Sequence, residues 1–132
     1  MIGLDTNVLV RYVVQDDDEQ SLRATRLIES LDDERPGFVS LVVLVELHWV
    51  LRRAYGVTAA DSAAVVRALL DSEEVGVAES DTVRRALSRV PDGEDLVDAL
   101  IGALGEDAGC EYTVTFDLPA SRLAGMRLVP TS

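Results

Sequence analysis

Four carboxylates in this sequence stand where they could serve one chemistry: Asp5, Glu46, Asp98 and Asp117. Asp5 ends the apolar run Ile2-Gly3-Leu4, and after Thr6 and Asn7 apolar residues resume at helical spacing, so the stretch reads as a strand that turns straight into a helix. In open α/β sheets chemistry collects beyond the carboxyl ends of strands, which puts Asp5 at a reactive rim; capping the next helix is its competing role. Tyr112 to Phe116 alternates like a second strand and also ends in an acid, Asp117. Glu46 lies inside the long apolar segment Leu41 to Tyr55, with Val42, Val43, Trp49 and Val50 as its helical neighbours. A carboxylate emerging from an apolar face costs several kcal/mol to bury unpaired, so Glu46 reads as a metal ligand, with a protonated or snorkelling core residue as its competing role. Asp98 falls one turn into a helix that Asp92 opens and Asp95 completes as a capping box. That cap accounts for Asp95 and leaves Asp98 unexplained, on one face with Asp95 and Gly102.

Carboxylates that gather raise one another's pKa, and a divalent cation is the natural remedy. With no His or Cys in the set, the donors suit Mg²⁺ or Mn²⁺ and are a poor match for zinc. Carboxylates holding such ions are the usual means of turning water against a phosphodiester.

The elements needed to position these acids can be read along the chain. At 132 residues the expectation is a single domain, residues 1–132. Gln15 to Glu19 is an acidic break that favours the start of a helix, whose apolar stripe would be Leu22, Leu27, Ile28 and Leu31. Pro36-Gly37 marks a turn, Phe38 to Ser40 a short buried strand with Ser40 capping the next helix, and Gly56 that helix's end. Thr58 to Asp61 opens a further helix as a capping box, making an αα-hairpin whose apolar surplus suits a homodimer contact. His48 and Trp49 on this hairpin read as packing residues. Val75 to Ala78 is expected as a strand, Ser80 or Asp81 as a helix start, and Met126 to Val129 as a last edge strand. The fold expected is α/β: three layers, α/β/α, with a central parallel sheet of four to five short strands flanked by helices, and a protruding αα-hairpin.

The chain carries 24 acidic and 12 basic residues, a net charge of −12, and every basic residue is arginine. Such acidity repels nucleic acid, so any nuclease on this frame needs local positive charge from metal ions or arginines. Arg11, Arg52, Arg53, Arg84 and Arg85 are candidate phosphate contacts, with surface ion pairing as the competing role. The lone cysteine, Cys110, excludes an internal disulfide and reads as a small buried hydrophobe. No apolar run approaches a membrane span and no basic leader precedes one, which gives a cytoplasmic, membrane-free expectation.

In order along the chain, Leu4-Asp5-Thr6-Asn7-Val8-Leu9, Ser40 followed by Glu46, Asp95-Leu96-Val97-Asp98-Ala99-Leu100-Ile101 and Thr113-Val114-Thr115-Phe116-Asp117 resemble the motifs of PIN-domain ribonucleases, most closely the VapC-type toxins of toxin–antitoxin pairs. The resemblance implies a helix-flanked parallel sheet and an acidic quartet of Asp5, Glu46, Asp98 and Asp117 that binds Mg²⁺ or Mn²⁺. It makes Thr6, Asn7 and Thr115 orienting neighbours and Asp95 an accessory acid. It also implies an endoribonuclease in which water attacks phosphorus in line, leaving a 5′-phosphate and a 3′-hydroxyl. The partners it implies are RNA, a small VapB-like antitoxin whose tail covers the acids, and a second copy of the chain.

Two other classes compete. A catalytically silent PIN-fold interaction module would keep the frame without needing the acids. A phosphoryl-transfer enzyme using Asp5 as nucleophile fits less well, because haloacid dehalogenase-type phosphatases place a second Asp where this chain has Asn7, and receiver domains need a lysine.

Overall fold

The structure is a computed structural model that describes residues 1–131. Two compact units divide the chain, Met1–Ser80 and the part that begins at Asp81.

The first unit runs β1 (Ile2–Gly3), α1 (Thr6–Val14), α2 (Asp18–Glu29), β2 (Gly37–Val39), α3 (Leu41–Arg53), α4 (Ala59–Asp71) and β3 (Val75–Val77). Its three strands are parallel in the order β1-β2-β3, with Ile2 opposite Gly37 and Gly37 opposite Val75. The helix starts follow their capping residues. Asp17 accepts from the Gln20 amide at 2.9 Å, Ser40 from Val43 at 3.2 Å and Thr58 from Asp61 at 3.1 Å, each satisfying a donor that the helix itself cannot. The acidic run is thus the first turn of α2, as its charge pattern suggests. Gly37 has a steric reason: a Cβ there would meet Leu31 Cδ1 at 2.9 Å and Leu4 Cδ1 at 3.0 Å. Leu9, Val39, Leu44, Leu47, Leu51, Ala63 and Val66 are buried, and α3 supplies three of them at helical spacing.

Several local expectations change. Of the apolar stripe expected on α2, Leu31 is buried just past the helix end and Leu27 and Ile28 are half-buried, but Leu22 is exposed and the fully buried residues within the helix are Ser21 and Ala24. In the α3–α4 hairpin His48 Nδ1 is 2.8 Å from the buried Ser62 hydroxyl, so His48 joins the two helices by a hydrogen bond as well as by packing. Trp49 is exposed, with the Arg53 guanidinium 3.7 Å above its ring.

The second unit contains α5 (Ser80–Arg89), α6 (Leu96–Asp107), β4 (Thr113–Thr115), the short helix α7 (Leu118–Ser121) and β5 (Met126–Leu128). β4 and β5 are parallel, with Thr113 opposite Met126 and Thr115 opposite Leu128. The five strands expected are present, and hydrogen bonds join them as a parallel set of three in the first unit and a parallel set of two in the second. Strands of two or three residues offer few ladder bonds with which to extend a sheet. Gly102 of α6 faces the Ala124 carbonyl, 3.0 Å from where a Cβ would stand, so α6 lies tight against the chain leading into β5. Arg85 reaches Asp107 at 2.7 Å, Arg89 grips both oxygens of Glu106 at 3.1 and 3.0 Å, and Thr82 bonds Asp107, which ties α5 to the end of α6. Cys110 is exposed just after α6 and is not the buried hydrophobe expected. Among the described residues no helix is long and apolar enough to cross a membrane.

Candidate metal centre

In the first unit β1 delivers the chain to Asp5, which is the N-cap of α1 and accepts from the Thr6 amide at 2.8 Å. Capping and presentation at the strand tip are therefore one arrangement, since the second carboxylate oxygen is not used in the cap. Thr6, only 6% exposed, turns its hydroxyl the other way and donates to Glu46 Oε1 at 3.0 Å across 40 positions of sequence. A single buried threonine thus touches Asp5 with its backbone and Glu46 with its side chain.

Glu46 itself is exposed, which overturns the burial premise of its sequence reading. The apolar neighbours that seemed to enclose it include Val42 and Trp49, and both are open to solvent. Leu44, Leu47 and Leu51 carry the buried face of α3, and Glu46 stands off it. Asn7 is exposed and lines a cleft of about 470 Å³ with Val8, Arg11, Gln20, Arg23, Ala24 and Leu27. No hydrogen bond links Asn7 to Asp5, Thr6 or Glu46 among the described residues.

In the second unit the acids are Asp95, Asp98 and Asp117. The capping box expected at Asp92 and Asp95 does not form. Asp92 closes a tight turn by accepting from the Glu94 amide at 3.2 Å, and α6 begins only at Leu96. Asp95 is its N-cap with φ +59° and makes no side-chain cap bond, a left-handed conformation costly for any residue but glycine. Asp98 lies in the first turn of α6 and is half-buried. Burial, then the charges of Asp95 and Asp117, push its carboxyl above the ordinary value of 3.8. The helix amino terminus favours an anion there. Desolvation and two like charges outweigh it.

Asp117 follows β4 and caps α7, accepting from the Ala120 amide at 2.9 Å, while its own amide donates to Thr115 Oγ1 at 3.0 Å. Thr115 thereby fixes the backbone that carries Asp117. The loop expected around Pro119 is this short helix, with Pro119 in its first turn where a missing N–H costs nothing.

The arginines named as phosphate contacts are largely committed to the protein. Arg11 bonds Gln20, Asp16 and Tyr55, Arg52 bonds the Val57 carbonyl, Arg53 stacks on Trp49, and Arg85 pairs with Asp107. Arg127, not singled out by the sequence, lies 4.4 Å from the Tyr112 ring. No sequence signal marks it, because its place opposite Val114 depends on the pairing of β4 with β5.

Among the described residues no group of three or more His, Cys, Asp or Glu side chains forms a ready-made metal cage. The donor chemistry of the acids nevertheless suits a hard cation: all ligands would be oxygens, and Asp98 is loaded by two acids with no basic residue among the causes of its shift.

A family model described as the PIN domain matches residues 2–126, so the chain belongs to the PIN-domain family, whose members are typically nucleases using a divalent metal. No curated protein matches the chain. Among solved structures, the crystal structure of VapC20 from Mycobacterium tuberculosis, a sarcin–ricin loop cleaving toxin, aligns over 96% of this chain and 99% of that one, with 22% identity and a TM-score of 0.47.

Proposed function

We propose that this chain is a single PIN domain acting as a Mg²⁺- or Mn²⁺-dependent endoribonuclease, the toxin of a VapBC-like pair, with Asp5, Glu46, Asp98 and Asp117 as metal ligands. The observation that carries the reading is the Thr6 bridge. A buried hydroxyl spent on an exposed glutamate does little for the core, but it orients one acid relative to another at a strand tip. The motif order along the chain and the PIN-domain match support the same reading.

Held by Asp5, Glu46, Asp98 and Asp117, a divalent ion would supply Lewis acidity for activating water and offsetting phosphoryl charge. The chain's own part is positional. Thr6 holds Asp5 and Glu46 in register, Thr115 fixes the Asp117 backbone, and α6 presents Asp98 at its amino terminus, where the helix dipole also attracts phosphate. Asp95 adds an accessory charge beside Asp98. Asn7 serves as a neighbour of the site on the cleft side of α1. The partners are RNA, an antitoxin that shields the acids, and a second copy through the exposed apolar residues of the α3–α4 hairpin, Val42 and Trp49.

Cleavage of RNA by the purified chain with Mg²⁺, beside Asp5→Asn and Asp98→Asn, tests the proposal. Either variant is expected to lose at least about a hundredfold in rate, since even outer-shell partners of metal ligands cost 10–100-fold. Equal rates in wild type and variants would remove the nuclease assignment.

A further inference from the structure

Phe116 is the most exposed large apolar residue of the chain, at 87%, and it immediately precedes Asp117. A single apolar residue on a surface needs no explanation by itself. Its mounting is what sets it apart. The Asp117 amide is bonded to Thr115 Oγ1 at 3.0 Å and the Asp117 carboxylate to the Ala120 amide at 2.9 Å, so the backbone on the carboxyl side of Phe116 is pinned. The ring is held out into solvent by a braced turn.

Val114 is the middle residue of β4, Tyr112 and Phe116 flank the strand at alternate positions, and the exposures of 39%, 51% and 87% at Tyr112, Val114 and Phe116 rise toward the acid. Arg127, opposite Val114, belongs to the same face and lies over the Tyr112 ring. It enters no ion pair among the described residues. In a chain of net charge −12, a guanidinium that enters no ion pair and lies over the half-exposed Tyr112 ring is a local exception. An aromatic platform next to a cation is the combination that binds unpaired nucleic acid: bases stack on the rings and the cation meets phosphate.

We infer that Phe116 is a stacking platform for an unpaired nucleobase of the RNA substrate, next to the scissile phosphate, with Tyr112 and Arg127 continuing the track along β4. Duplex RNA cannot use it, because paired bases are already stacked on one another. The inference rests on the nuclease reading above and makes Phe116 a positioning residue, which acts on how substrate is held and leaves the acids untouched.

The experiment compares wild type, Phe116→Ala, Phe116→Trp and a surface control, Leu22→Ala, using an unpaired oligoribonucleotide that carries the fluorescent base 2-aminopurine and the same strand in a duplex. Binding is read with Mg²⁺ omitted, as quenching of the fluorescent base by stacking, and cleavage is read with Mg²⁺ present. For Phe116→Ala, KM for the unpaired strand is expected to rise about tenfold with kcat within about twofold, and quenching to disappear; one lost base–aromatic stack is worth about that factor. Phe116→Trp should restore both, while Leu22→Ala and the duplex should show no change. Unchanged KM and quenching in Phe116→Ala would overturn the stacking role with the nuclease reading intact. Quenching by wild type, lost in Phe116→Ala, without any cleavage would sustain the platform and remove the nuclease reading. Absence of quenching by wild type, or a Phe116→Ala variant changed only in its state of association, would overturn the platform in favour of a protein contact.

Discussion

The two ends of α6 carry acids under opposite regimes. At its carboxyl end Glu106 and Asp107 face the negative pole of the helix dipole, an unfavourable place for an anion, and α5 answers with Arg85, Arg89 and Thr82. Hydrogen bonds from Arg89 and from Thr82 and Arg85 hold these two carboxyls below their ordinary values. At its amino end Asp98 has the favourable pole of the dipole but sits near Asp95 and Asp117, and its carboxyl is pushed upward. The same residue type on one helix is neutralised where it is structural and left uncompensated where the motif resemblance puts a metal ligand. Counter-charge built into the protein goes with acids that hold the fold; its omission at Asp98 is what the proposed ligand role requires.

The contrast can be broken most sharply by exchanging which end is altered. Asp98→Asn should leave the folded protein at least as stable in metal-free buffer and lose at least about a hundredfold in cleavage rate. Glu106→Gln should keep its rate within about threefold and melt a few degrees lower. Thermal melts beside RNA cleavage read both arms, and a Glu106→Gln variant that loses rate as Asp98→Asn does would erase the distinction. Thr6→Val extends the comparison to the first unit, where Thr6 donates to both Asp5 and Glu46 through its amide and its hydroxyl. Removing the hydroxyl while keeping the volume should raise the Mg²⁺ concentration needed for half-maximal rate by about 10–100-fold, with Thr6→Ser recovering most of it. A metal titration that superimposes on wild type would show that the bridge is only structural.

A smaller effect should follow pH. Because Glu106 and Asp107 titrate below their ordinary values of 4.5 and 3.8, their contribution to stability is complete above those values. It is lost as pH falls through the lowered values in the folded protein. Arg89→Ala should therefore melt a few degrees below wild type at neutral pH, and the gap should close in acid as Glu106 takes up its proton. A gap that persists unchanged at low pH would assign the effect to lost packing of the arginine stem.

What could be read from the sequence is what is encoded locally. Ser40 and Thr58 cap the helices they were expected to cap, a helix starts within the acidic run at Gln15 to Glu19, and the strand tips at Asp5 and Asp117 fall where apolar runs stop. Long-range pairing was not legible. Nothing in the spacing says that Thr6 will meet Glu46, that Arg11 will be used up by Asp16, Gln20 and Tyr55, or that the strands will pair as three and two. Glu46 shows why periodicity alone misleads: α3 is apolar on more than one face, so its neighbours at three and four positions do not reveal which face is inside. Asp95 hid for another reason. Gly93, two positions earlier, is the residue that invites a positive φ, and it does have one, but so does Asp95.

That second positive φ leads to the smallest effect. Aspartate tolerates the left-handed region better than most residues, yet it is still disfavoured there relative to glycine, and no side-chain bond to the helix offsets the cost. If Asp95 is kept for its charge beside Asp98, Asp95→Gly should raise stability by about 0.5–1 kcal/mol in metal-free buffer, through relief of strain and of like-charge repulsion together. Asp95→Asn separates the two contributions, since it keeps the backbone preference and removes the charge. Metal affinity should fall by a similar factor in both variants, because both lose the carboxylate, while the larger gain in stability should belong to Asp95→Gly. Equal stability in the glycine and asparagine variants would mean that the left-handed turn costs nothing here and that only the crowding of charge around Asp98 distinguishes this end of α6 from the other.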